Sequence, residues 1–513
     1  MTPTLVHQQS RVQEIIHDFR AGRIVVPEFQ RDYVWTPNRA PKLIDSLYRR
    51  FPVSSLLVWE SDERVEVRRY APAKAIGTSV GWLIDGQQRV ITLARTLTGD
   101  DGIDVVFNTE DEQFLRANAA TRKDDRWVRV ADVWDEDWYR RYRRNLHDDI
   151  RGRKIEERLE RLRSVLEYEV PIVRMIGYNF QDAVNAFQRI NTLGVKLRSE
   201  DLQSAQVAAK HSGFIRKQLT PFIHDLHKRG FDRITATHLF RACAFIAMPD
   251  GRRRTPLHEL HTKDVEQAWK RTKSAVEDAL SLCMGELGLA DMSILWSGSL
   301  LVPVIALCGT LSPRDRDDRE IAGWVGCAAL AHRYSSASGT ALEQDLKACR
   351  NGDPVGALLS NLRQSRPSLW ATPADFNGSM ADRSGLLATF LACKQLGASD
   401  LLTQRRIVSR TRVDRHHILP RAYFQQGKAR QRADVLANIA FVAKDSNQSI
   451  SDNTPATYLA NISPKVLESQ GIPVNNELWS IAKAEQFWAE RQQTLANAFN
   501  EYLKATLTNR RLG

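Results

Sequence analysis

The residue types best suited to hydrolytic chemistry lie in one short stretch, VDRHHILP, at Val413–Pro420. It places His416 and His417 side by side, although the chain has only 12 histidines. A neutral imidazole can take a proton from water, and imidazole nitrogen and amide oxygen can both bind a divalent metal ion. Asn438 and Asn447 follow downstream. These residue types in this order predict a metal-dependent site that cleaves phosphodiesters.

The order of these residues resembles the sites of HNH-type nucleases, which are small strand–loop–strand–helix units. The resemblance implies that His417 is the general base and His416 a metal ligand. Asn438 is then placed to orient the base loop, Asn447 is the remaining ligand, and the metal is Mg²⁺ or Mn²⁺. Adjacent residues on a regular strand face opposite sides, so the strand must end or distort at the histidine pair for both to serve one site, and Pro420 favours such an ending.

Positive charge surrounds this stretch and characterises the whole chain. The 73 Lys and Arg exceed the 61 Asp and Glu, which gives a net charge of +12 and favours a polyanionic partner. Arg412, Arg415 and Arg421 are predicted to bind DNA through its phosphates, and such contacts carry no sequence information. Asp414 falls on the His416 side if the strand is regular.

A second informative stretch, GWLIDGQQRVITL, lies at Gly81–Leu93. It predicts a strand, a turn at Gly86 and a helix from Gln87, and a helix N-terminus suits a phosphate group. The candidate nucleotide-binding residues are Asp85, Gly86, Gln87, Gln88 and Arg89. By residue chemistry alone, a capped helix with polar surface residues explains the stretch equally well.

The elements that must position these residues can be predicted from hydrophobic spacing. We expect a first helix within residues 5–20, and one or two long, charged helices between 110 and 170. Residues 201–365 are predicted to be helical almost throughout. The expected strands are 23–26, 54–60, 82–84 and 168–175.

Length and composition limit the class of protein. A chain of 513 residues predicts two or three domains. The six cysteines form no C-x-x-C pair and the N-terminus has no signal-peptide pattern, so we expect reduced core thiols and a cytoplasmic protein. The uncharged segment Met292–Pro313 is long enough to be a transmembrane candidate. Its Ser, Gly and Pro residues favour a buried helix pair instead, and no membrane partner is expected.

Three N-terminal segments together carry a family resemblance: PEFQRDYVW, IDGQQRVITL and FQRINTLGVKLRSEDL. They resemble the ParB-like N-terminal domain of GmrSD-type and SspE-like, modification-dependent (type IV) restriction proteins. The C-terminal segment VDRHHILP…LANIAFVAKDSNQSISDN resembles the HNH domain of the same proteins. The resemblance implies that the DGQQR segment binds and hydrolyses GTP, CTP or ATP, with Gln30 and Arg31 lining the same pocket.

The predicted fold class is α+β, with a ParB-like α/β domain (1–205), a helical region (206–365) and a C-terminal ββα-metal (HNH) nuclease domain (366–513). The predicted function is a DNA endonuclease gated by nucleotide and DNA modification, acting in defence against phage. Two alternatives remain open: a nucleotide-switched ParB-like DNA-binding protein with an inactive HNH unit, and an RNA-cleaving abortive-infection effector. The sequence leaves a monomer and a homo-oligomer equally open.

Overall fold

The computed structural model describes residues 2–27, 35, 38–61, 80–99, 103–193, 199–211, 213–248, 256–295, 297–335, 338–407, 412–424 and 433–513. It divides into two compact units, Met1–Pro221 and Phe222–Gly513. The structure is mixed α and β and mostly helical, as predicted. The division into three domains at 205 and 365 stays a prediction, and residues 222–513 here form one unit.

The first unit is built on a five-stranded mixed sheet with the order β1-β8-β3-β4-β2. Its strands are β1 (Thr4–Arg11), β2 (Ile24–Val25), β3 (Leu56–Ser61), β4 (Val80–Asp85) and β8 (Glu169–Ile176). The pairs β1·β8 and β3·β4 are antiparallel, whereas β3·β8 and β2·β4 are parallel. The four strands predicted from hydrophobic spacing are therefore confirmed, with shifted ends.

A second, three-stranded antiparallel sheet has the order β6-β5-β7. Its strands are β5 (Val105–Asn108), β6 (Phe114–Arg116) and β7 (Trp127–Arg129). The prediction of only one or two long helices between 110 and 170 is therefore wrong in part. Local charge suggested solvated helix here, but Phe114 and Val128 are buried against the core of the unit and fix two strands.

The α-helices in the described part of the first unit are α1 (Val12–Arg20), α2 (Arg39–Tyr48), α3 (Gln87–Thr98), α4 (Val130–Val133), α5 (Glu136–Arg144), α6 (Ile150–Arg163), α7 (Phe180–Leu193) and α8 (Ser199–Lys210). The first helix was predicted too early, because β1 pairs with β8 along its full length. The helix begins at Val12, where Val12, Ile15, Ile16 and Phe19 bury one face.

The second unit begins as a helical assembly. Its helices up to residue 395 are α9 (Thr220–Lys228), α10 (Ala236–Ala247), α11 (Thr262–Leu282), α12 (Leu301–Thr310), α13 (Asp318–Leu330), α14 (Ser338–Ala348), α15 (Pro354–Arg363) and α16 (Arg383–Gln395). Helices α12 and α13 are buried, as predicted for this apolar region. Among the described residues, no helix has the length and apolarity needed to cross a membrane. All six cysteines are free, buried thiols, as expected.

A small ββα arrangement follows in the same unit. Strand β9 (Asp414–His417) pairs antiparallel with β10 (Ile439–Val442), and helix α17 (Lys444–Ile450) comes directly after β10. The helices α18 (Pro455–Leu459), α19 (Pro464–Ser469) and α20 (Ala484–Thr506) complete the chain. Much of the local core comes from these later segments, including Phe487 and Trp488 of α20.

Candidate functional site

The strand β9 is regular through both histidines. His416 is opposite Ala440 and His417 is opposite Ile439, without a bulge. Successive side chains of a strand point to opposite faces, so the two imidazoles have different surroundings. His416 shares its face with Asp414 and is buried, whereas His417 shares its face with the exposed Arg415. The strand ends at His417, but it is regular up to that residue, so the distortion that would turn both imidazoles to one face is not observed.

The face of His416 meets helix α17. The His416 Nδ1 atom lies 3.0 Å from Oδ1 of Asn447, and the Asn447 amide nitrogen donates to Asp414 Oδ2 at 3.4 Å. The other ring nitrogen, Nε2, lies 3.2 Å from the hydroxyl of Tyr458. The structure therefore brings together the two predicted metal ligands, His416 and Asn447, and adds Asp414 and Tyr458 to them.

The hydrogen bonds of Tyr458 favour the tautomer of His416 that carries its proton on Nε2. The Tyr458 hydroxyl donates to the Ile418 carbonyl at 2.8 Å, so it accepts from Nε2–H of His416. Burial lowers the pKa of His416 to about 4, so the ring is neutral at pH 7. The Nδ1 lone pair then faces the Asn447 amide oxygen, which is also an acceptor.

Two acceptor atoms that face each other at 3.0 Å suit a shared cation. Two ligands at right angles on an octahedral Mg²⁺, with bonds of about 2.1 Å, also lie roughly 3 Å apart. Within the described residues, no group of three or more His, Cys, Asp or Glu side chains could hold a metal ion. At His416, the atoms that could bind a metal ion are Nδ1 of the ring and the amide oxygen of Asn447, and the Asp414 carboxylate lies nearby.

The face of His417 carries a different pair of side chains. Nε2 of His417 lies 2.9 Å from Asp434 Oδ1, and Arg421 Nη2 lies 3.3 Å from the other oxygen of that carboxylate. An ionised carboxylate only accepts hydrogen bonds, so Nε2 carries the proton and Nδ1 keeps its lone pair. His417 can therefore accept a proton at Nδ1 while Asp434 holds its ring in place.

The protonation state of His417 suits a base at neutral pH. Burial lowers its pKa below the ordinary value, the bond to Asp434 acts in the opposite direction, and Arg421 and Arg415 add to the lowering. The ring is therefore neutral at pH 7. Its side chain keeps 21% of its surface exposed, which leaves access for water.

Asp434 is a site residue that the sequence analysis missed. It lies in the basic connection between the two predicted strands, where no motif singles it out. The backbone holds it in place: its carbonyl accepts from Met380 N at 2.6 Å, and the neighbouring Val435 bridges to Ser379. A signal was present, since Asp434 is the only acid in the stretch 418–444 between the histidines and the helix α17.

Asn438 fixes the chain immediately after His417. It is fully buried, accepts from Leu419 N at 2.9 Å, and donates to the carbonyls of Leu419 and Ala433 at 2.9 and 2.8 Å. Its amide is therefore fully used by backbone groups and does not face solvent. This placement suits orientation of the loop after His417, while a catalytic role for Asn438 stays a prediction.

A buried arginine braces the same region. Arg491 of α20 is fully buried and donates to the carbonyls of Ala437 and Ile439, each at 2.8 Å, on either side of Asn438. It also donates to the Gln470 carbonyl at 2.9 Å. These bonds replace water for a buried guanidinium and fix the backbone that carries Asn438.

Helix α17 is fixed at its start by Asp400. One oxygen of that carboxylate accepts from Ala443 N and the other from the Ser446 hydroxyl, both at 2.7 Å. Asn447 is the next residue on this short helix, so Asp400 determines where its amide lies. The sequence predicted the helix itself but not the residue that anchors it.

The three arginines predicted to bind DNA have different surroundings. Arg415 is exposed on β9, on the face of His417. Arg421 is paired with Asp434. Arg412 keeps 73% of its side chain exposed and lies 3.4 Å from Asp291. Of the three, Arg415 and Arg421 lie beside the candidate base, and DNA binding by all three stays a prediction.

The DGQQR segment forms the predicted strand, turn and helix in the first unit. Gly86 precedes α3 with a φ of 94°, and a Cβ built there would lie 2.2 Å from Cδ2 of Leu56. Arg89 donates to the carbonyls of Ser54 and Ser55 and lies 3.3 Å from Asp85 Oδ2. Burial lowers the pKa of Arg89, against the effect of Asp85. Arg89 therefore ties the helix start to the residues before β3 in this structure.

The two glutamines of this segment are buried, not surface residues. Gln87 is 5% exposed and Gln88 is 7% exposed. The Gln88 amide oxygen accepts from Trp35 N at 3.2 Å, which places Trp35, the last residue of the PEFQRDYVW motif, at the start of α3. Gln30 and Arg31, predicted for the same pocket, lie outside the described residues.

Comparison with known proteins addresses the first unit. Residues 12–208 match the GmrSD restriction endonuclease, N-terminal domain. This match supports the predicted likeness to restriction endonucleases and a nuclease-related role in defence. It ends before the ββα arrangement, so the HNH interpretation stays a prediction, as does the ParB-like one.

A longer but weaker similarity extends along most of the chain. The uncharacterized protein MJ0686 of Methanocaldococcus jannaschii is 18% identical over 525 residues, covering 89% of this chain and 87% of that protein. The similarity spans both units, and the name of that protein assigns it no activity.

Proposed function

We propose that this protein is a metal-dependent DNA endonuclease whose C-terminal ββα site is gated by an N-terminal nucleotide-binding, modification-sensing domain. The observation that carries the proposal is that the two histidines of β9 have different partners. His416 meets Asn447 with two acceptor atoms face to face, and the neighbouring His417 is held by Asp434. The similarity of residues 12–208 to a restriction endonuclease domain supports a DNA substrate and a role in anti-phage defence.

The protein residues account for proton transfer. Neutral His417 takes a proton from water at Nδ1, and the Asp434 carboxylate stabilises the imidazolium that forms. Asn438 holds Leu419 by both its N–H and its carbonyl, so the chain after His417 keeps one geometry. Such positioned proton transfer accelerates hydrolysis by about 10²- to 10⁴-fold.

His416 and Asn447 would hold Mg²⁺ or Mn²⁺, with Asp414 beside them. When bound there, the ion would supply positive charge to the phosphodiester oxygens and to the leaving oxygen. Tyr458 keeps the proton of His416 on Nε2, so Nδ1 remains available as a ligand. Arg415 and Arg421 would bind the phosphates that flank the scissile bond.

The nucleotide site is proposed at the start of α3, where Asp85, Gly86, Gln87, Gln88 and Arg89 lie at a helix N-terminus. The contact between Gln88 and Trp35 supports a pocket to which the preceding residues Gln30 and Arg31 would also contribute. Arg89 would release the carbonyls of Ser54 and Ser55 to bind phosphate. That exchange would couple GTP, CTP or ATP binding, and its hydrolysis, to the start of β3, the central strand of the sheet.

A second candidate function is a nucleotide-switched DNA-binding protein without nuclease activity. The burial of His416, which is 2% exposed, favours it, because the ring offers a metal ion almost no accessible surface. It predicts nucleotide-dependent DNA binding and no cleavage with any metal. An RNA-cleaving effector would use the same residues, and parallel digests of plasmid and total RNA distinguish the two substrates.

The decisive experiment is a plasmid-nicking assay with Mg²⁺ or Mn²⁺, with and without each nucleotide, on modified and unmodified DNA. We expect His417→Ala to abolish nicking and to retain Mn²⁺ binding by calorimetry, whereas His416→Ala and Asn447→Ala lose both. His224→Ala, an exposed histidine of α9, is the matched control. Nicking by His417→Ala at the wild-type rate would refute the assignment of the base.

The nucleotide site is tested separately, by equilibrium binding of labelled GTP, CTP and ATP to the full chain. Arg89→Ala and Asp85→Asn are each expected to abolish binding, while ungated nicking by the ββα site persists. Circular dichroism checks that both variants remain folded, since Arg89 also braces the backbone. A folded Arg89→Ala protein with unchanged affinity contradicts the phosphate role.

A further inference from the structure

An open cavity of about 690 Å³ lies in the first unit, away from the DGQQR segment. It is bounded by α1, the C-terminal end of α3, α4 and α5, and Leu97 of α3 lines it. Leu97 follows Gln87 by ten residues, which is roughly 15 Å along the helix axis. The cavity is therefore a different place from the nucleotide site proposed at the start of α3. Its volume is in the range of small-molecule sites, about 300–1,000 Å³.

Two tryptophans form one side of this cavity, and both are held in fixed orientations. The indole N–H of Trp134 donates to the Leu162 carbonyl at 3.2 Å. The ring of Trp138 stacks on Tyr142, with centroids 4.8 Å apart and planes 18° from parallel. Both indoles are only partly buried. Rigid, accessible aromatic faces are suited to stacking on a planar ring.

The charged groups of the cavity leave an excess of positive charge. Its two acids are engaged: Asp132 lies 3.3 Å from Arg129, and Asp135 caps α5 by accepting from Trp138 N at 2.7 Å. Arg20 and Arg141 are exposed and also line the cavity. Among the residues that the structure describes, neither of these two guanidinium groups has an ion pair. They are available to an anion, and guanidinium binds phosphate with two parallel hydrogen bonds.

The geometry points to a second nucleotide-binding site in this cavity, which takes a nucleoside phosphate with its base on Trp138 and its phosphate between Arg20 and Arg141. The two tryptophans alone would bind any apolar ring, and the two arginines alone would bind any anion. Their combination in one cleft selects a ligand that has a planar ring and a phosphate. That ligand is either a free nucleotide or one nucleotide of a single strand, because both present the same groups.

Photolabelling of the full-length protein tests this site directly. One arm uses 8-azidoadenosine 5′-monophosphate and the other a short single-stranded oligonucleotide with one 8-azidoadenine, followed by peptide mapping. We expect label on the peptide that contains Trp138. Labelling by the mononucleotide identifies a free-nucleotide site, and labelling by the oligonucleotide alone identifies a strand site. Label confined to residues 80–99, or none on the cavity peptides in either arm, overturns the proposal.

Binding of the labelling probe to variants provides the second readout. The double variant Arg20→Ala/Arg141→Ala is expected to bind at the cavity at least tenfold more weakly, because charged hydrogen bonds to phosphate are lost. Arg144→Ala is the matched control, since Arg144 is exposed on the same helix and does not line the cavity. The double variant Arg20→Lys/Arg141→Lys keeps both positive charges. It is expected to retain binding, which shows that substitution at these two positions leaves the protein folded. Cavity labelling of the alanine double variant at the wild-type level also overturns the proposal.

Discussion

His416 and His417 are neighbours in sequence, but they have different partners because a strand turns successive side chains to opposite faces. His416 lies with Asn447 and Tyr458, and His417 lies with Asp434. Burial lowers the pKa of both rings, so both are neutral at pH 7. Two neutral imidazoles can serve as one ligand and one base, whereas two imidazolium ions could do neither.

Asp434→Asn is expected to lower the nicking rate by at least about 10²-fold, because an amide cannot stabilise the imidazolium as a carboxylate does. The pH profile should also move. Activity is lost as the pH falls through the pKa of His417, and Asp434 raises that pKa. Without the carboxylate, the acidic limb of the rate profile therefore shifts to lower pH. Single-turnover nicking between pH 4.5 and 8 measures both effects.

The control for Asp434→Asn is Asp452→Asn, which removes the same charge from an exposed position in the same unit. It should leave both the rate and the pH profile unchanged. An Asp434→Asn protein with wild-type rate and profile would show that Asp434 only supports the fold.

Tyr458→Phe is expected to weaken Mn²⁺ binding by about 10- to 100-fold, because the hydroxyl fixes the proton of His416 on Nε2. The substitution keeps the ring that packs on His416. Isothermal calorimetry of Mn²⁺ binding measures the change. Tyr423→Phe is the control, since its hydroxyl donates to the Asp452 carbonyl at a distance from the candidate ligands. Equal affinities for the two variants would contradict the role of Tyr458.

At the scale of elements, the junction of β4 and α3 depends on one glycine. Gly86 has a φ of 94°, and a side chain there would meet Leu56. Gly86→Ala is therefore expected to destabilise this junction by about 1–3 kcal/mol. Hydrogen–deuterium exchange should rise in residues 56–61 and 80–99.

Gly339→Ala serves as the comparison for Gly86→Ala. A Cβ at Gly339 meets nothing within 4 Å, so no increase in exchange is expected anywhere. If Gly86→Ala exchanges like the wild type, then Leu56 can move aside and the turn does not require glycine.

Several elements were predictable because their hydrophobic spacing agrees with their environment. The strand ending at Ile84, the helix from Gln87 and the buried helix α12 are examples. Strand β1 was not predictable, because its residues are mostly exposed and its structure comes from pairing with β8, more than 150 residues later. Local spacing cannot report a partner so far along the chain.

The same limit applies to the candidate site. Residue type and order were enough to predict four candidate site residues: His416, His417, Asn438 and Asn447. Asp434 and Asp400 were not predicted, because isolated acids in loops form no motif. For Asp434 the one signal was the lack of any other acid in residues 418–444. Arg89 illustrates the converse: its motif suggests phosphate, but in the structure its guanidinium holds the carbonyls of Ser54 and Ser55.

At the scale of the whole molecule, a net charge of +12 should make DNA binding strongly dependent on salt. The plot of log K against log salt concentration is expected to be linear, and Arg415→Ala should reduce its slope by about 1 if Arg415 contacts one phosphate. Fluorescence polarisation from 50 to 300 mM KCl, roughly the range over which such contacts weaken, measures this slope.

Arg314→Ala is the control for the salt experiment. Arg314 is an exposed arginine in the loop between α12 and α13, so its loss changes the net charge equally. A slope reduced equally by both variants would indicate a general effect of charge and no phosphate contact at Arg415.

The bonds from Arg491 to the backbone around Asn438 have a consequence for protein synthesis. The ribosome makes both histidines, Asp434 and Asn447 before it makes Arg491. A nascent chain that already contains every candidate site residue therefore lacks the guanidinium that holds the carbonyls of Ala437 and Ile439. The site cannot reach its final geometry until the last long helix has been translated and has packed. Under the proposed nuclease function, cleavage would therefore begin only after α20 has been translated and has packed.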